Sequence, residues 1–187
     1  MAESAANPAT RATMLIGIAI PTLRELRAGL LAAHGGGPDG VDALRAAGYS
    51  GGDAVYDAFE QWLAEGANAD SNSTNRSAGE LTLQEFGDKA ARYFHAAGWG
   101  LVDFNPEHED GVASLAMEHC WESDSAGGES APSCHVTTGM LAAFFGRLAG
   151  YPVSVMEIEC CSTGAERCRF LLGNADVMAF KWEQLRT

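Results

Sequence analysis

Three thiols and a carboxylate in the last third of the chain, Cys134, Glu157, Cys160 and Cys168, constrain the fold more than any other feature. Thiolates favour a borderline-soft cation such as Zn²⁺, and four such ligands close a tetrahedral site, a carboxylate being a permitted though less common fourth member. Glu157 and Cys160 differ by an odd number of positions, so a regular strand would aim them at opposite faces. The set therefore demands a bulge or a strand end between them. By parity alone Glu159 with Cys161 fits as well, and Cys120 and His135 are further candidate donors. A zinc closed by four protein ligands keeps no open place for water and is structural. It would tie a helix to a hairpin and contribute folding free energy on the order of 10 kcal/mol.

Apolar spacing places the other elements around this set. Leu23, Leu26, Leu30 and Leu31 recur at helical intervals and the HGGGPDG stretch at 34–40 ends that helix. A short helix capped by Asp39 is expected to close at Gly48, followed by a longer one whose stripe is Ala54, Val55, Ala58, Phe59, Trp62 and Leu63. Thr82 with Glu85 forms a capping box for a helix with Leu83, Phe86, Ala90, Tyr93 and Phe94 inward, stopped by Gly98 and Gly100. Strands follow at 99–105 and 111–121, an antiparallel pair across the PEHEDG turn. A helix over 134–148 then crosses to a strand at 153–160, a turn at 162–166, a strand from Cys168, and a terminal helix over 175–185. Helices first and strands after, with one crossing helix, predict an α+β domain: an antiparallel sheet flanked by helices. Residues 1–19 are expected to be a flexible N-terminus, 20–187 a single domain, and 66–80 and 122–132 mobile loops.

Charge and cysteine usage narrow the function. A net charge of −13 repels phosphate backbones and anionic lipid heads, which argues against direct binding to nucleic acid or a membrane surface. Five cysteines, two of them adjacent, fit reduced thiols better than a paired secreted framework. With no apolar run of membrane-spanning length and no signal-like N-terminus, a cytoplasmic location is expected. The chain carries no G-x-S-x-G, no HExxH and no glycine-rich dinucleotide loop, so no catalytic residue is assigned. Trp121, at a strand end, combines a large apolar body with one N–H donor and suits a pocket wall. Tyr93, Phe94, Met140 and Phe144 are candidates for the same wall, although apolar residues at helical spacing are ordinarily core.

The C-terminal half resembles the 4-vinyl-reductase domain family. The likeness is carried by Gly98 to Gly100, Cys-Trp-Glu at 120–122, Pro-Ser-Cys-His at 132–135, Gly139, Gly150 to Pro152, and the run Glu157, Cys160, Gly164, Cys168, Phe170. Ala-Gly-Tyr-Ser-Gly-Gly at 47–52 looks like the family's N-terminal glycine turn. The resemblance implies a fold like that of the TRAPP vesicle-tethering subunits, a homodimer, and an interior cavity for a hydrophobic or aromatic molecule. In members that sense phenolic compounds it implies a zinc on the Cys, Glu-x-x-Cys, Cys pattern that Cys134, Glu157, Cys160 and Cys168 match. It also implies phenol contacts by a Trp and a His, here Trp121 and His95. The chain ends at Thr187 without the output modules of those sensors, so the expected function is a stand-alone sensor or carrier that acts on a protein partner. Other readings are an accessory protein of bacteriochlorophyll biosynthesis, in vinyl reduction or pigment carrying, and a TRAPP-like dimeric scaffold.

Overall fold

A computed structural model of the protein describes residues 17–69, 76–106, 112–123 and 128–185. In chain order the elements are α1 (Ile20–Ala33), α2 (Pro38–Ala69), α3 (Leu83–Ala96), β1 (Leu101–Asn105), β2 (Ala113–Glu118), α4 (His135–Ala149), β3 (Ser154–Glu159), β4 (Cys168–Gly173) and α5 (Ala175–Leu185). The four strands form one antiparallel sheet in the order β1-β2-β4-β3. This is the α+β architecture that the succession of periodicities predicts. Among the described residues no helix is long and apolar enough to cross a membrane.

Helices cover both faces of the sheet. Leu115, Met117, Phe170 and Leu172 face a core shared with α2, α3 and α4, where Phe59, Phe94 and Phe144 are fully buried. Their rings lie 5.2 to 5.6 Å apart, in the range of favourable tilted aromatic contacts. On the other face Val112 and Leu171 pack against Met178 of α5. The capping box of α3 forms as expected: Thr82 Oγ1 accepts from Glu85 N, and Glu85 Oε2 accepts from Thr82 N at 2.9 Å. Leu83, however, is 58% exposed, and the buried stripe of α3 starts only at Phe86.

The two helices expected on either side of Gly48 are one 32-residue helix, α2. Gly48, Gly51 and Gly52 are poor helix formers, yet two of them are required where α2 crosses α4. A Cβ on Gly48 would fall on the Val136 carbonyl, and one on Gly52 would lie 2.5 Å from Ala143 Cβ. Gly139 of α4 meets the Arg45 carbonyl of α2 in the same way. The glycines serve backbone contact between helices, and they do not end one.

The loop expected over 66–80 is also shorter than its composition suggests. Residues 66–69 continue α2, and Ala78 is buried, its N–H donating to Glu60 at 3.1 Å. The rest of that segment, 70–75, and the PEHEDG turn at 107–111 lie outside the described residues. Of the loop expected over 122–132, Glu122 and Ser123 are buried and hydrogen-bonded.

Candidate metal centre and adjoining cleft

The bulge that the sequence demands lies in β3. Glu157 pairs with Phe170 but Glu159 pairs with Arg169, so β3 advances two residues while β4 advances one. Ile158 is the extra residue, and Cys160 returns to the face occupied by Glu157. Glu159 is turned to the opposite face, where it pairs with Arg169 at 3.4 Å. The bulge thereby settles the parity ambiguity: Cys134, Glu157, Cys160 and Cys168 each offer a donor atom within 4.8 Å of the others.

Each ligand stands at the end of an element. Cys134 is the N-cap of α4, Cys160 follows β3, and Cys168 opens β4. Gly164, at φ 93°, turns the chain between the last two in the left-handed conformation that glycine adopts without strain. The three sulfurs are separated by 3.6, 3.8 and 3.9 Å. A tetrahedron with metal–sulfur bonds of about 2.3 Å has edges of about 3.8 Å. Glu157 Oε2 accepts from Cys134 N at 2.8 Å, whereas Oε1 is buried with no hydrogen-bond partner. An orphaned carboxylate oxygen facing three thiols of tetrahedral spacing fits a Zn²⁺ ion. With no ion, burial pushes Glu157 up to about 8. Contacts with Cys120, Cys160 and Cys168 push Cys134 far above the thiol range, while the contact with Cys134 draws Cys160 below it.

The first turn of α4 presents free N–H groups and the positive end of its dipole. Two carboxylates answer them. Glu157 takes the N–H of Cys134, and Glu122 takes those of Val136 and Thr137 at 2.9 and 2.8 Å. Glu122 also pairs with Arg27 of α1 at 3.3 Å, and burial raises its pKa. Arg24 of α1 donates to the Trp121 and Ser123 carbonyls at 2.9 and 2.8 Å, and Arg27 to the Ser133 carbonyl at 2.8 Å. Glu122, Arg24 and Arg27 were missed by sequence reasoning. The Cys-Trp-Glu run marked the place of Glu122, but only distant partners give it a task.

Trp121 and Tyr93 line a cleft of about 630 Å³ between α1 and the body of the domain, together with Leu23, Leu26, Trp99 and Val136. The Trp99 and Trp121 rings meet edge to face at 6.1 Å. Tyr93 donates its hydroxyl to the Val55 carbonyl at 3.1 Å, and burial pushes its pKa up to about 12. Phe94, Met140 and Phe144 pack in the core and do not line this cleft, and His95 is exposed on α3. On the other side of α4 a groove of about 950 Å³ is bordered by Tyr49, His135, Glu157 and Trp182.

Residues 114–174, the stretch from β2 through β4, match the family model of the 4-vinyl-reductase domain. All four candidate metal ligands lie in it. No curated protein matches the chain. Among solved structures, the phenol-responsive sensory domain of the transcription activator PoxR, crystallised with phenol, superposes with a TM-score of 0.61 at 19% identity, covering 92% of this chain and 84% of that one. A vinyl-4-reductase family protein from Methanocaldococcus jannaschii aligns with a TM-score of 0.39 at 17% identity, over 73% and 92%. At such identity the likeness to the PoxR domain is one of fold.

Proposed function

We propose that this chain, whose residues 114–174 match the 4-vinyl-reductase domain, binds a small hydrophobic or aromatic molecule between α1 and the body of the domain, beside a structural zinc. The observation that carries the reading is the cleft itself: apolar on most sides, of a size for one small molecule, and walled by Trp121 and Tyr93. The phenol-responsive domain of PoxR, which shares the fold, adds support for an aromatic ligand. Leu23, Leu26 and Leu30 supply apolar contact and Trp121 one N–H donor. Zinc, held by Cys134, Glu157, Cys160 and Cys168, would supply cross-linking of α4 to the β3–β4 hairpin rather than chemistry on the ligand. Arg24 and Arg27 hold α1 over the cleft through the segment that leads from Trp121 to Cys134, so ligand entry and the order of α1 are coupled. A homodimer belongs to the same reading, with the groove bordered by the exposed rings of Tyr49 and Trp182 as its contact surface.

The test is titration of the zinc-loaded protein with phenol and larger aromatics, followed by calorimetry and by the rise in unfolding temperature. Saturable binding that weakens on the order of 10-fold or more in Trp121→Ala is expected, about 1.4 kcal/mol or more. The rise follows ligand concentration relative to Kd. Binding of equal strength in wild type and Trp121→Ala would place the ligand elsewhere. Native mass spectrometry of the protein from its host reads zinc, ligand and self-association together.

A further inference from the structure

Cys120 stands outside the set of four ligands, yet its Sγ lies 3.8 Å from Cys134 Sγ. That is the separation the ligand sulfurs keep among themselves. Cys134 is thus in contact with three other sulfurs. Cys120 is 2% exposed and reduced, and its contact with Thr137 Oγ1 is long, at 3.8 Å. An isolated buried cysteine is a small hydrophobe, but this one extends a wall of thiols. It also follows His119, whose φ of 55° marks where the chain leaves β2. Cys120 therefore lies beyond the β2 ladder, and its side chain can move without disturbing the sheet.

We infer that Cys120 is an alternate fourth ligand: a soft, thiophilic cation such as Cd²⁺ takes Cys120 in place of Glu157, converting a three-sulfur, one-oxygen set into a four-sulfur set. The inference rests on the reading of the cluster as a metal centre. Ligand softness supplies the preference, because Zn²⁺ accepts a carboxylate oxygen while a softer ion gains more from a fourth thiolate. Position supplies the means. Glu157 belongs to β3, the edge strand of the sheet, beside the bulge, and its Oε2 keeps the Cys134 N–H when Oε1 gives up a metal. The exchange also has a reporter, since Cys120 adjoins Trp121 in the wall of the cleft.

The experiment reconstitutes the metal-free full chain with Zn²⁺ or Cd²⁺ and counts sulfur neighbours by X-ray absorption at each metal's edge. Zn²⁺ should show three sulfurs with oxygen, and Cd²⁺ four sulfurs. In Cys120→Ser, Cd²⁺ should return to three sulfurs, and its affinity should fall on the order of 10-fold relative to that of Zn²⁺. Three sulfurs around Cd²⁺ in the wild-type protein, or an unchanged Cd²⁺ to Zn²⁺ affinity ratio in Cys120→Ser, overturns the inference and leaves the zinc site standing. Failure of Zn²⁺ to find three sulfurs overturns both. The wild-type comparison decides the matter even where Cys120→Ser does not fold.

Discussion

Replacing Glu122 by alanine should cost the protein about 3 to 5 kcal/mol, although Glu122 is not a metal ligand in the site described above. Its carboxylate accepts two N–H groups from the first turn of α4 and pairs with Arg27, whose side chain is 14% exposed. Each hydrogen bond to a charged group contributes roughly 1.5 to 3 kcal/mol. Removing one partner of a buried pair costs about 3 to 5 kcal/mol, because the other is left desolvated. Losses in one network do not add, so the larger of these figures bounds the sum. Glu122→Gln should fall at about half, since its amide oxygen can still accept one N–H while its NH₂ faces the other donor. The assay is urea unfolding of the zinc-loaded protein, with the exposed Glu118→Gln as a control expected within about 0.5 kcal/mol of wild type. For a chain of this length the alanine variant should melt on the order of 10 °C lower. A loss below about 1 kcal/mol, with an unchanged denaturant slope, would refute the argument that Glu122 caps α4.

Gly139→Ala should destabilise by about 1 to 3 kcal/mol or more, because its methyl meets the Arg45 carbonyl where two backbones touch; Gly29→Ala, where an added methyl meets nothing, should not. Removal of the metal by a strong chelator should raise hydrogen exchange from Cys134 through Gly173 while leaving α2 and α3 protected, and uniform protection in the metal-free protein would count against a structural metal. Burial, with Arg45 and Arg27 adding to it, pushes His135 down to about 4. A depressed folded pKa means stability present above the unfolded value near 6.5 and lost as pH falls toward 4, a loss of about 1 to 2 kcal/mol after discounting for partial exposure. Unfolding free energies measured from pH 7 to pH 4 should therefore decline less steeply in His135→Gln than in wild type.

Local signals in the sequence carried far. The capping box at Thr82 and Glu85, the span of α5 and the need for a bulge between Glu157 and Cys160 all follow from backbone periodicity and donor chemistry, which nearby residues encode. The same reasoning misjudged Gly48. Helix propensity counts a glycine as a stop, and nothing near it in sequence announces that α4 will press against that side of α2. Leu83 fitted the apolar stripe of α3 by spacing, yet the first turn of that helix is left uncovered.

The sequence by itself determined the order of helices and strands, the four donors and the side of the strand on which they had to meet, because those depend on side-chain chemistry and on distances along the chain. Tertiary structure alone decided that Phe94, Met140 and Phe144 fill the core while Tyr93 and Trp121 border the cleft. Residues of one helical face are equivalent in spacing, and only the surfaces packed against them distinguish a wall from an interior. Tertiary structure also gave Glu122 its task, since the N–H groups it caps and the arginine it pairs with come from α4 and α1, which only folding brings beside it.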